Sequence, residues 1–268
     1  MKEIIDYYEQ FDEWGRLDRE PLEFHVNWHY IKKYLPVKGR ILDNGAGPGK
    51  YSMALAKEGF RVTLTDLTPK LVEVAEAKAI ELKLENQFSE FIVADARKLE
   101  QIEDEQFDAT LMLGPMYHLQ QEVDRIIALK ELNRVTKKDG IVFVAFMPRT
   151  KHNFNSLINP ENWRPNDSMI EIEQFSKSGC FNHSEVNRFT GAYYFDIDEI
   201  QPLMESQGFQ CIQLIGSNIA TSMTKESWNY WKLKGEEQKV LDLIIKKAAD
   251  PYLLGMSSHL LYIGRKTK

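Results

Sequence analysis

The sequence predicts a doubly wound α/β fold on a mostly parallel, seven-stranded sheet, and three observations predict it. Residues 41–66, ILDNGAGPGKYSMALAKEGFRVTLTD, read as strand, glycine-rich turn, helix, strand and acid. Strands and helices keep alternating as far as residue 146, the pattern of a sheet covered by helices on both faces. The run Ile141 to Phe146 is continuously apolar, as parallel strands buried on both sides are.

In chain order, residues 1–39 read as a helical lead-in rich in aromatics: Tyr7, Tyr8, Phe11, Trp14, Phe24, Trp28 and Tyr30. The first strand is Ile41-Leu42, ending in Asp43. The turn Gly45 to Gly49 leads into a helix over Lys50 to Glu58, which Gly59 stops. The second strand, Arg61 to Thr65, closes on Asp66. Thr68 then offers a helix N-cap and Pro69 suits the first helical position. That helix runs to about Leu84, with Leu71, Ala75, Ala79 and Leu82 at helical spacing. Phe88 to Ala94 is the third strand, followed by Asp95-Ala96.

Phe107 to Leu113 is the fourth strand, and Gly114-Pro115-Met116-Tyr117-His118-Leu119 follows it. A helix over Val123 to Val135 would turn Val123, Ile126, Ile127, Leu132 and Val135 inward. Asp139-Gly140 reads as the turn before the fifth strand. Residues 147–195 are rich in Asn, Pro, Ser and aromatics without sustained periodicity, too long for an ordinary connection, so a functional insertion is expected. Asp196 to Glu199 caps a further helix, with Pro202 near its first turn and Gly208 after it. Phe209 to Ile215 and Leu260 to Gly264 are the closing strands. Between them, residues 216–256 form a second insertion holding an amphipathic helix with Val240, Leu241, Ile244, Ile245 and Ala248 on one face.

At 268 residues the chain can bury a sizeable core, and its 43% hydrophobic and 28% charged residues are those of a globular protein. No apolar run approaches the roughly 18 residues of a membrane span. The acidic, aromatic start, MKEIIDYYEQFDEW, is unlike a secretory signal, so cytoplasmic residence is expected. Two cysteines, Cys180 and Cys211, lack metal-ligand spacing. His25 and His29 stand four apart, but Val26 sits where the zincin pattern requires Glu, so no metal site is expected. A net charge of −6 argues against a polyanionic partner such as nucleic acid. Nothing in the chain fixes an oligomeric state.

The stretch 41–66 carries the chemistry. Glycines let a ligand approach the backbone closely, and an acid at the tip of the second strand can take both ribose hydroxyls. The dinucleotide fingerprint G-x-G-x-x-G is not met, because Lys50 stands where its third glycine would be. Asp43, just before the turn, would repel a pyrophosphate but could engage an ammonium group, directly or through water. The ligand implied carries an adenosine and a cationic amino-acid tail.

With Asp43-Asn44-Gly45-Ala46-Gly47-Pro48-Gly49 and Asp66, the chain resembles the class I S-adenosylmethionine-dependent methyltransferases, whose first motif is an acid-x-Gly-x-Gly-x-Gly turn. Asn44 departs from the apolar residue more usual there. The resemblance covers residues 40–146 by motif and 196–265 by topology. It implies a Rossmann-like methyltransferase fold over 40–146 and 196–268, with S-adenosyl-L-methionine as cofactor. It also implies an N-terminal lid over residues 1–39, with Tyr7, Tyr8, Trp14 and Arg16 as candidate contacts, against the plainer reading of packing outside the sheet. Asp43, Gly45, Ala46, Gly47, Gly49, Asp66 and Leu67 would hold the cofactor. Asp95 and Ala96 would meet its adenine, although Asp95 also reads as a cap for the next segment. Leu113 or Gly114 would offer a backbone carbonyl to the amino group.

The loop after the fourth strand would then lie beside the methyl donor, making Tyr117 and His118 the catalytic candidates. They could orient an acceptor or remove its proton; Tyr117 could equally cap the sulfonium or simply pack. His152, His183 and His259 are weaker candidates. Gly114-Pro115-Met116-Tyr117 is similar to the Asn-Pro-Pro-Tyr motif of amide- and adenine-nitrogen methyltransferases, but Gly114 has no side-chain amide. Neither a Pro-Cys nucleophile nor converging cysteines exist. The expectation is a methyltransferase acting on O or N of a small-molecule acceptor, with 147–195 and 216–256 as caps. Phe154, Trp163, Phe175, Phe181, Tyr193, Tyr194, Trp228 and Trp231 would line an acceptor pocket or form the insertions' own core. A protein or RNA methyltransferase and a non-catalytic binder of the cofactor are the alternatives.

Overall fold

The computed structural model describes residues 2–10, 14–15, 21–163, 165–182, 191–219, 223 and 225–267. A seven-stranded sheet runs in the order β3-β2-β1-β4-β5-β9-β8. The strands are β1 (Arg40–Asn44), β2 (Arg61–Asp66), β3 (Phe88–Val93), β4 (Phe107–Met112), β5 (Thr136–Phe146), β8 (Phe209–Gly216) and β9 (Leu260–Lys266). The first five are mutually parallel, whereas β9 is antiparallel to both β5 and β8. The remaining two strands, β6 (Cys180–Phe181) and β7 (Ala192–Tyr193), pair as a separate short ribbon.

Helices cover both faces. On one lie α2 (Pro21–Tyr34), α3 (Lys50–Lys57), α4 (Pro69–Glu81) and α11 (Glu237–Ala248). Their Val26, Ile31, Leu55, Ala75, Ile244 and Ala248 pack on Ile41, Leu64, Leu111, Phe143 and Ile263. On the other lie α6 (Glu122–Val135) and α9 (Ile197–Ser206), whose Leu129, Leu132, Ile200 and Met204 meet Val142, Val144, Phe146 and Tyr262. Alternate residues of β5 thus feed opposite cores, as the two-residue period of a strand requires. The α1 helix (Lys2–Gln10) lies beside α4, where Lys70 Nζ donates to the Glu9 carbonyl.

Several expectations are corrected. Within α6 the buried positions are Arg125, Ala128, Leu129, Leu132 and Val135, while Val123 and Ile127 are exposed. The inward face includes a cation because the Arg125 guanidinium stacks 3.7 Å from the Tyr193 ring and donates to the Leu119 and Gln120 carbonyls. Asp139-Gly140 is no turn: β5 starts at Thr136, and Asp139, at φ 64°, sits within it. There the pairing with β4 jumps from Phe107↔Thr136 to Ala109↔Ile141, the local break a β-bulge produces. Helix α4 ends at Glu81 rather than Leu84, and Leu82 is partly exposed. Pro202 lies inside α9 just past its first turn, and the Asp196–Glu199 capping box is formed.

The described residues of 147–195 hold regular elements: α7 (Arg149–Ile158), α8 (Met169–Ser178) and the β6–β7 ribbon. Buried Arg149 joins them, donating to the Tyr194 carbonyl at 3.1 Å, the Ser176 carbonyl at 2.9 Å and Asp196 Oδ2 at 2.8 Å. Around His152 gather Trp163, Phe175, Phe181 and Tyr194, with ring centroids 4.3–4.8 Å away. Helix α5 (Pro115–His118) follows β4, and α10 (Lys225–Leu233) precedes α11. No helix among the described residues is long and apolar enough to cross a membrane.

Candidate active site

The glycine turn follows β1 because its backbone must reverse within five residues. Gly45, Gly47 and Gly49 take φ of 74°, 57° and 82°, a region that side chains disfavour. Space adds to this at two of them. A Cβ on Gly45 would lie 2.4 Å from Pro115 Cγ, and one on Gly49 would lie 2.8 Å from Leu64 Cδ1. The turn is thereby pressed against Pro115 of α5 on one side and against Leu64 of β2 and Ala75 of α4 on the other.

Its amides are engaged inward. Gly45 and Ala46 N–H both donate to the Thr65 carbonyl, at 2.8 and 3.0 Å. Gly47 N–H donates to Asp66 Oδ2 at 2.7 Å, and Gly49 N–H to the Ala46 carbonyl at 3.1 Å. Pro48 has no N–H. The turn therefore offers a smooth backbone surface rather than a nest of amides for a phosphate.

One cavity opens at the carboxyl ends of β1, β2, β3 and β4, where ligands bind in open α/β sheets. Of the residues expected from the sequence, Asp43, Gly45, Ala46, Gly47, Asp66, Leu67, Asp95, Ala96, Leu113, Gly114, Tyr117 and His118 all line it. Gly49 does not; its place is in the packing under the turn. Asn44, Lys50, Tyr51, Thr68 and Leu71 line it too, with Ile4 and Tyr8 from α1. Ile4 has no signature in the sequence, because one aliphatic side chain on a short helix carries no motif.

Three carboxylates converge there. Asp43 is 2% exposed, and burial pushes its carboxyl up to about 7 although Ser52 Oγ donates to it at 2.7 Å. Burial raises Asp66 as well, opposed by the amides of Thr68 and Gly47. Asp95 is the exception. Burial works against its charge, but Arg97 outweighs that with a guanidinium contact of 2.6 Å and a backbone N–H at 2.9 Å, holding the carboxyl below its ordinary value. Arg97 also reaches Asp124 at 2.8 Å. Both expectations for Asp95 thus bear on one carboxylate, which faces the cavity while bonding locally. The cation on the wall, Lys50, directs Nζ to the Trp14 carbonyl at 3.4 Å.

An acidic, amide-poor cavity suits a cationic nucleoside and disfavours a pyrophosphate. The comparison with known families agrees: residues 42–144 match the model described as "Methyltransferase domain". Residues 42–144 are a class I S-adenosylmethionine-dependent methyltransferase domain. The cofactor of this methyltransferase domain is S-adenosylmethionine. YqeM of Bacillus subtilis, a methyltransferase by name, is 33% identical over 127 residues, covering 47% of this chain and 49% of its own. A ubiquinone biosynthesis O-methyltransferase of Xylella fastidiosa is 33% identical over 132 residues, with the same coverage of 47% and 49%. The chain therefore spans about half the length of the curated relatives it matches. Among solved structures, a Burkholderia thailandensis 1,6-didemethyltoxoflavin N1-methyltransferase superposes with a TM-score of 0.57 at 16% identity, covering 99% of this chain and 85% of its own. At that identity the likeness concerns the fold.

Helix α5 lines one side of the cavity with Pro115, Tyr117 and His118. Tyr117 Oη donates to the Leu113 carbonyl at 3.2 Å. His118 Nε2 lies 2.9 Å from Tyr8 Oη, and burial pushes its imidazole down to about 4. The expectation that His118 removes a proton meets both facts: its nitrogen is engaged by α1, and a base of that strength is poorly matched to neutral pH. None of the insertion aromatics named above lines the cavity. Phe175, Phe181 and Tyr194 are buried in a cluster with Tyr117, Tyr193 is buried in the core under α6 and α9, and Phe154 is exposed. His25 and His29 are exposed on α2, and no group of three or more metal-ligating side chains occurs among the described residues. His183 and Arg16 lie outside the described residues.

Proposed function

We propose that this chain transfers a methyl group from S-adenosylmethionine to an oxygen or nitrogen atom of a small-molecule acceptor. The observation that carries this reading is the convergence of Asp43, Asp66 and Asp95 with Tyr117 on one cavity. Asp66 takes the ribose hydroxyls with the acceptor capacity its two amide bonds leave, since a carboxylate has about four lone-pair sites. Asp43 balances the ammonium group, and the Leu113 or Gly114 carbonyl accepts from it. Asp95 meets the adenine amino group, with Ala96 and Leu67 beside it and Gly45, Ala46 and Gly47 as the floor. Gly49 supports that floor from below.

Bound there, the cofactor supplies a methyl already activated by its sulfonium. The protein's task is then to align the acceptor and exclude water. Helix α1, whose Ile4 and Tyr8 face the cavity, serves as the lid over residues 1–39, while α2 belongs to the packed layer on the sheet. His118 holds this lid through Tyr8, and Tyr117 forms the wall between donor and acceptor. The caps of the acceptor side remain residues 147–195, whose Phe175, Phe181 and Tyr194 pack against Tyr117 without lining the cavity, and 216–256. The named activity of the Xylella relative, an O-methyltransferase of ubiquinone biosynthesis, supports the small-molecule reading.

The test uses donor labelled on its methyl group, incubated with the protein and a cell extract separated into metabolite, protein and RNA fractions. Asp66→Ala serves as the blank. Label confined to the metabolite fraction is expected. Label in protein or RNA would replace the acceptor class, and bound cofactor with no label anywhere would make the chain a binder rather than an enzyme.

A further inference from the structure

The outer face of the α7–α8 pair is apolar where a surface is ordinarily polar. Helix α7 is inverted: Arg149, His152 and Ser156 are buried, whereas Phe154, Leu157 and Ile158 are 51–70% exposed. Spaced at i, i+3 and i+4, those three share one stripe, the kind a helix normally turns to a core. Met169 and Ile170, in the first turn of α8, are 57% and 68% exposed. The start of α7 lies against the end of α8: Asn153 Nδ2 donates to Ser176 Oγ at 3.0 Å, and the His152 and Phe175 ring centroids are 4.7 Å apart. The two helices thus form an antiparallel hairpin, with the last turn of α7 beside the first turn of α8. The five apolar side chains join into one patch.

The patch has the size and the border of an interface between like copies. At roughly 150–200 Å² for each large side chain fully open, it exposes on the order of 500 Å², near the top of what a monomer's surface carries. A standard interface covers about 800 Å² on each partner, and about 65% of a homodimer interface is apolar. The patch therefore matches the apolar centre of one such interface. Around it stand exposed Glu161 and Glu173 and exposed Lys177. An anionic lipid surface attracts a basic border, and this one is acidic on balance, in a chain of net charge −6. Under a two-fold axis residue i of one copy meets residue j of the other and the reverse, so a border carrying both signs can pair with itself.

We propose that a second copy of this chain covers the patch, two copies associating about a two-fold axis through α7 and α8. Such a dimer does not depend on the methyl-transfer reading. On the buried side of the same hairpin, Phe175, Phe181 and Tyr194 pack with Tyr117, which lines the cavity. A partner seated on the outer face presses the hairpin onto that cluster and so braces the cavity wall from behind.

Sedimentation velocity over a dilution series of the full chain, with Ile158→Asp and Ile170→Asp alongside, tests this. The wild type should sediment as a dimer that dissociates on dilution, and each variant should weaken association about tenfold or more. Both side chains are exposed, so both variants should keep the wild-type melting temperature, which separates a lost interface from a lost fold. Amide exchange over α7 and α8 should slow as the wild-type concentration rises and stay fast in Ile158→Asp. A wild type monomeric throughout the series, variants that dimerise as tightly as wild type, or an open series of larger species would overturn the proposal. Flotation with vesicles of phosphatidylcholine and phosphatidylglycerol supplies the other arm. A monomer that binds them and is released by Ile158→Asp would make a lipid surface the occupant instead.

Discussion

At the residue scale the proposed cofactor binding rests on the cavity's carboxylates. Asp66 supports the turn as well as lining the cavity, because Gly47 and Thr68 donate to it. Asp66→Ala should therefore cost about 1.5–3 kcal/mol of cofactor affinity, read by calorimetry, and should also lower the melting temperature by orphaning two buried amides. Unchanged affinity would remove the ribose role. Asp43 has the opposite sign to the usual acid. Its folded value, about 7, lies above its unfolded one, so the folded chain binds the extra proton between about pH 4 and 7 and the contribution of Asp43 to stability falls across that window as pH rises. Cofactor binding runs the other way: a cationic tail favours the carboxylate, so affinity should rise as pH passes upward through 7. Titrations at pH 6 and 8 that gave the same affinity would contradict this.

At the element scale, the described contacts that hold α1 over the cavity include Tyr8 to His118 and Lys70 to the Glu9 carbonyl. Tyr8→Phe removes one hydrogen bond and should cost about 0.5–1.5 kcal/mol of closure. Amide exchange over residues 2–10 should quicken while the sheet stays protected, and equal exchange in both proteins would deny α1 its role as a lid. Arg149 plays the corresponding part in residues 147–195. Arg149→Ala would leave the Tyr194 and Ser176 carbonyls short of a donor and should destabilise by about 1–3 kcal/mol for each group left buried. Urea unfolding would read this, and a loss below about 0.5 kcal/mol would show that water replaces the guanidinium.

At the scale of the whole molecule, what was legible in the sequence follows from range. The β1–β2 unit was legible because its constraints are local: glycines at positive φ, an acid at each strand end, and apolar runs of strand length. Residues of that unit then appear on one cavity wall, since parallel strands all end on the same side. The α6 face was misread because Arg125 is buried through Tyr193, a residue 68 positions away, and helical periodicity alone treats an arginine as outward. The two helices in residues 147–195 escaped notice because one carries a buried Arg149 and His152 and exposes Phe154 and Ile158, which inverts the usual pattern. Glu23 and His259 could not be paired from sequence at all. They meet only through the antiparallel return of β9 beside β5.

The inward-turned amides of Gly45, Ala46, Gly47 and Gly49 have a consequence for selectivity among cellular nucleotides. Nicotinamide and flavin dinucleotides share the adenosine half that Asp66 and Asp95 would grip, and compete for any adenosine-shaped cleft. Here a diphosphate would meet the Asp43 carboxylate with no backbone N–H from the turn to compensate. The chain thus screens its ligands by what it withholds, and it should remain available to a sulfonium nucleoside in the presence of excess dinucleotide.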